Sequence, residues 1–86
     1  METPDSIKNE LKDFIVRAYL KRRNAVLGDD VSFLGEGIVD SIGVIELVAF
    51  IQKRYKIKVQ VSEIIPANLD TLNNLERFIT KKLTAL

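Results

Sequence analysis

Apolar residues recur at helical spacing in three stretches of this chain. Ile7, Leu11, Phe14, Ile15 and Ala18 fall on one face of a helix. Thr3 as cap and Pro4 as first helical residue set its start, and the pattern runs to about Arg23, where Lys21-Arg22-Arg23 complements the negative end of the helix dipole. A second helix is expected from Ser41 to about Tyr55, with Val44, Leu47, Val48, Ile51 and Tyr55 toward the core. Its opposite face carries Ile42, Glu46, Ala49 and Lys53, an outer stripe with two apolar residues that the core does not require. Asp70 or Thr71 caps a last helix to about Leu83, with Leu72, Leu75, Ile79 and Leu83 inward.

Between these stretches the periodicity fails. From about Asn24 to Val39 three glycines and two adjacent aspartates predict a long loop, held to the core by Val31, Phe33, Leu34 and Ile38. Gly35-Glu36-Gly37 is too short to cradle a phosphate. Lys56 to Val61 alternates like a strand but has no strand to pair with. It is therefore expected to be an extended connector whose Ile57, Val59 and Val61 reach the core. A short helical turn is expected at about Ser62–Ile65, halted by Pro66. The fold expected is all-α: a four-helix bundle of three longer helices and one short one, with a long loop between the first two.

Composition narrows the chemistry. Eighty-six residues make one domain (residues 1–86, core about 5–84), and 47% hydrophobic with 29% charged residues is ordinary for a globular protein. No apolar run approaches the ~20 residues of a membrane span, so membrane insertion is not expected. The N-terminus lacks the regions of a signal peptide, and the chain is read as cytoplasmic. With no Cys and no His, the chain has no thiolate nucleophile, no Ser-His triad and no ordinary zinc or haem site. Asp29, Asp30 and Asp40 are not placed by any base or metal motif, so no metal site is assigned and the chain is not expected to be an enzyme. A net charge of +1 argues against a dedicated nucleic-acid binder, and Lys21-Arg22-Arg23 is explained by its place at a helix end. Charge is nevertheless uneven: residues 29–51 contain five carboxylates (Asp29, Asp30, Glu36, Asp40 and Glu46) and no Lys or Arg. This block brackets Ser41 and would suit a partner with a basic surface; clustering on a solvated surface is the plainer alternative.

Asp40 stands at the N-cap of the second helix and Ser41 at its first turn, where free N–H groups and the dipole favour a phosphate ester. The run Asp40-Ser41-Ile42-Gly43-Val44-Ile45-Glu46-Leu47, with Asn68-Leu69-Asp70-Thr71-Leu72 before the last helix, resembles the acyl and peptidyl carrier proteins over roughly residues 5 to 84. Asp70-Thr71-Leu72 could be mistaken for a second such motif, but Asn73 and Asn74 make it an ordinary cap. The resemblance implies an acyl-carrier-like bundle in which Ser41 receives 4′-phosphopantetheine, with Asp40 as the motif aspartate. A phosphopantetheinyl transferase would attach the arm from coenzyme A with magnesium, Ser41 attacking the β-phosphorus. It also implies an acyl- or aminoacyl-loading ligase and downstream acyltransferase or synthase enzymes, which would dock on Ile42, Glu46, Ala49 and Lys53. The carrier is expected to be a monomer.

Two departures bear on the pathway. Carriers of fatty-acid synthesis are usually strongly acidic, whereas here Gly43 follows Ile42 and Gln52, Lys53 and Arg54 end the helix. The balance resembles free-standing carriers of nonribosomal-peptide or polyketide pathways more closely. Phe50 and Tyr55 are also expected to occupy space that an acyl pocket would need. The alternative of another class is a small helical interaction module without a prosthetic group, using the same outer stripe.

Overall fold

A computed structural model describes residues 3–20 and 27–85. Helix α1 (Pro4–Ile15) continues into a π-helical turn (Val16–Leu20), and after the loop come α2 (Ser41–Tyr55), a 3₁₀ turn (Val61–Glu63), α3 (Pro66–Leu69) and α4 (Leu72–Thr84). The architecture is the all-α bundle expected, with three longer helices and one short, and no strand forms among the described residues.

α1 starts where anticipated, since the Thr3 hydroxyl accepts from the Ser6 N–H and Pro4 sits in the first turn. Ile7, Leu11 and Ile15 are buried. Ala18, expected inward, is exposed. The physical reason is the π-helical turn, whose wider i to i+5 spacing moves the inward position on by one residue. Tyr19 takes the place instead, with its ring edge-on to Phe14 at 6.1 Å. The expected helix end near Arg23, with Lys21 and Arg22, lies outside the described residues.

α1 with its π-helical turn runs antiparallel to α2, and three side-chain links join them among the described residues. Glu10 grips Arg54 through two bonds of 2.6 and 2.8 Å. Phe14 stacks on Phe50 with ring centres 4.0 Å apart. Tyr19 donates to the Gly43 carbonyl at 3.1 Å. Of the predicted inward residues of α2, Leu47, Val48, Ile51 and Tyr55 are buried and Val44 is half-buried against the core. The helix ends on Lys56 in the left-handed conformation, φ 56°.

The loop is pinned from below. Phe33 and Val39 are buried, while Val31 and Ile38 pack partly against the core. Leu34, expected as an anchor, is 45% exposed. Its backbone is held instead by a side chain: Asp70 Oδ1 accepts from the Leu34 N–H at 2.9 Å, and Asp70 Oδ2 accepts from the Ser32 hydroxyl. The Phe33 N–H also donates to the Asp70 carbonyl at 2.8 Å. One aspartate thus fastens the loop to the junction before α4.

The connector is extended as expected, with Ile57 buried and Val59 half-buried, but Val61 is 86% exposed. The chain turns into the 3₁₀ turn at Val61, which directs that side chain outward. Pro66 does not halt a helix: it opens α3, where its missing N–H costs nothing and its fixed φ suits a first turn. The expected turn at Ser62–Ile65 is thereby split into a 3₁₀ turn before and a helix after, with Ile65 extended as pre-proline residues prefer. Thr71, not Asp70, caps α4, accepting from the Asn74 N–H at 3.0 Å. Leu72, Leu75 and Ile79 are buried as predicted, Leu83 partly so, and Phe78 joins them.

Candidate functional site

Asp40 takes up an extended conformation, and its Oδ1 accepts from the Gly43 N–H at 2.7 Å. This satisfies one of the first-turn donors of α2, while its carbonyl accepts the Val44 N–H at 2.9 Å. Ser41 follows as the first helical residue. It is exposed, and its hydroxyl makes no hydrogen bond among the described residues. The N–H groups of Ser41 and Ile42 lie before the first intrahelical donor, so the surroundings of the hydroxyl are donor-rich.

Gly43 lets neighbouring side chains close tightly on the start of α2. A Cβ there would lie 2.8 Å from Val39 Cγ1 and 3.2 Å from both Asp40 Oδ1 and Tyr19 Cε1. The absent side chain lets the loop and the end of α1 close against the first turn. Burial, then the Glu46 carboxylate, then the Asp40 charge push the Tyr19 phenol above its ordinary value of 10.0.

The outer stripe is exposed throughout: Ile42 (71%), Glu46, Ala49 and Lys53 all face away from the core. Ile45, omitted from the expected stripe, is 67% exposed beside them. Its spacing of three from Ile42 was the available signal. The five-carboxylate block is less concentrated than its sequence implies. Asp29 pairs with Lys8 of α1 at 3.2 Å, and Asp30 accepts from the Asn73 side chain of α4 at 2.7 Å. Glu36, Asp40 and Glu46 remain exposed and outside any ion pair among the described residues.

A cavity of about 60 Å³ lies between the loop, α2 and α3, lined by Phe33, Val39, Val44, Leu47, Ile64 and Ile65 among others. Neither Phe50 nor Tyr55 borders it; Phe50 is taken up between α1 and α2. No group of three or more metal-ligating side chains occurs among the described residues. No helix among them is long and apolar enough to cross a membrane.

A sequence model of the family described as "Phosphopantetheine attachment site" matches residues 14–79, which takes in the end of α1, the loop, α2, α3 and most of α4. The chain belongs to this phosphopantetheine-binding family. Comparison with curated proteins gives no match. Domains of the family bear covalently attached 4′-phosphopantetheine and are generally carriers without catalysis of their own, served by a phosphopantetheinyl transferase and by synthase or ligase enzymes. The residues at the start of α2 fit such a group: an exposed hydroxyl, a capped helix start tolerant of an anion, and no cysteine or histidine to compete.

Proposed function

We propose that the protein is a carrier, one domain over about residues 5–84, that holds acyl or aminoacyl intermediates as thioesters on a 4′-phosphopantetheine arm attached to Ser41. The observation that carries this reading is the state of the serines within the matched region. Ser32 is committed to Asp70 and to the Gly35 N–H, and Ser62 is exposed but sits in the 3₁₀ turn without a preceding aspartate. Ser41 alone among them joins exposure to an aspartate-capped helix start.

Ser41 supplies the oxygen that bonds to the β-phosphorus of coenzyme A, with loss of adenosine 3′,5′-bisphosphate. The Ser41 proton passes to a base that the transferase supplies, while Asp40 Oδ1 holds its cap bond to the Gly43 N–H. When attached, the arm supplies the thiol that a chain without cysteine lacks. Ile42, Glu46, Ala49 and Lys53, with Ile45, form the face that partner enzymes meet, and the carrier acts as a monomer in the cytoplasm.

Within that reading, a dedicated peptide or polyketide pathway is favoured over fatty-acid synthesis. Lys53 and Arg54 end α2, two exposed isoleucines dominate its outer face, and the cavity is small. At about 60 Å³ it falls well below the roughly 300–1,000 Å³ of ligand pockets.

Intact mass after incubation with a broad-specificity transferase and coenzyme A tests the assignment. The wild type should gain one phosphopantetheine and Ser41→Ala none. No gain on the wild type would leave the interaction-module reading as the better one.

A further inference from the structure

The Tyr19 hydroxyl meets the first turn of α2 through a bond that the fold does not demand. Within a helix the Gly43 carbonyl already has an acceptor role, filled by the N–H four residues on. The Tyr19 bond at 3.1 Å is an addition to that. Two unusual features bring it about: the π-helical turn, which turns Tyr19 and not Ala18 toward α2, and the bare Cα of Gly43, where a methyl would meet the ring at 3.2 Å. π-Helical turns are rare and concentrate at functional sites. Burial and then the Glu46 carboxylate on the exposed face keep the phenol protonated, so that it stays a donor.

We propose that Tyr19 is a positioning residue for the modification of Ser41. By holding the Gly43 carbonyl it fixes the first turn of α2, and with it the direction in which the Ser41 hydroxyl is presented. The inference rests on Ser41 being the attachment residue. Small displacements of a reacting atom are costly, about 100-fold in rate for 1 Å in unfavourable cases. Loss of one neutral hydrogen bond is expected to act more gently.

Tyr19→Phe keeps the ring against Phe14 and Gly43 and removes only the hydroxyl. In steady-state modification by a transferase with coenzyme A, kcat should fall about three- to tenfold, the scale of one hydrogen bond. KM for the carrier should not change, because docking lies on the outer stripe. A general loosening would instead raise KM along with the unfolded fraction. Gly43→Ala should lower kcat similarly, and adding Tyr19→Phe to it should do little more.

Unchanged kcat in Tyr19→Phe overturns the inference, as does an equal fall in Phe14→Leu, which disturbs the same helix end but spares the hydroxyl. Ser41→Ala run alongside separates the two levels. If it is modified like the wild type, the attachment reading fails and this inference with it. If it stays unmodified while Tyr19→Phe matches the wild type, only the role of Tyr19 is lost.

Discussion

The chain writes aspartate, hydroxyl residue, large apolar residue twice, as Asp40-Ser41-Ile42 before α2 and as Asp70-Thr71-Leu72 before α4, and the two copies fold one residue out of register. In the first, the aspartate is the cap and the serine enters the helix with its hydroxyl uncommitted. In the second, the threonine is the cap, its hydroxyl is taken by the Asn74 N–H, and the aspartate is drawn off to Ser32 and Leu34. Leu72 is fully buried where Ile42 is 71% exposed. The lesson is that a hydroxyl beside an aspartate becomes available only when the aspartate does the capping. Where the loop needs the aspartate, the hydroxyl must cap in its place.

That contrast can be broken by substitution. The largest loss of stability should follow Asp70→Ala, which frees the Ser32 hydroxyl and the Leu34 N–H together; we expect about 2 kcal/mol in urea unfolding, as for hydrogen bonds to a charged group. A cost no greater than that of an average surface change would show that Asp70 does not fasten the loop. Asp40→Ala and Thr71→Ala should each cost about 1 kcal/mol as lost caps, with Asp40→Asn and Thr71→Ser restoring most of it. Of these, only Asp40→Ala should also slow the modification of Ser41; equal slowing by Thr71→Ala would dissolve the distinction between the copies.

The smallest effect concerns pH, and only the first copy has a phenol against its opening turn. Because the Tyr19 pKa is raised in the folded protein, its contribution is fully present below the ordinary value of 10.0 and is lost as pH rises through the higher folded value. Urea midpoints of the wild type and Tyr19→Phe should therefore keep a constant separation up to about pH 10 and converge above it. Tyr19 is half-exposed, so solvent screening keeps the change modest. A separation that widened above pH 10 would reverse the assigned sign.

Helical spacing alone was enough to find the three longer helices, because each buries a stripe whose period is set by backbone geometry. The Asp40 cap and the exposed stripe of α2 were legible for the same reason. The misplaced residues are those governed by tertiary hydrogen bonds or by a change of helical pitch. Ala18 was expected inward because a π-helical turn leaves no mark in an apolar pattern. Leu34 and Val61 look like anchors by composition, but Asp70 and the 3₁₀ turn decide where their backbone goes. Pro66 was read as a stop although the same ring also starts helices, and only the chain path tells which. At the site, Tyr19 could not have been found from spacing, since its partner is a carbonyl 24 residues away.

The most direct test is to modify the wild-type protein with a transferase and coenzyme A, digest it, and locate the arm by fragmentation of the peptides. It should be found on Ser41 and nowhere else. An arm on Ser32, Ser62 or Thr71 would contradict the reading, because it would mean that an uncommitted hydroxyl behind a capping aspartate is not what the transferase selects.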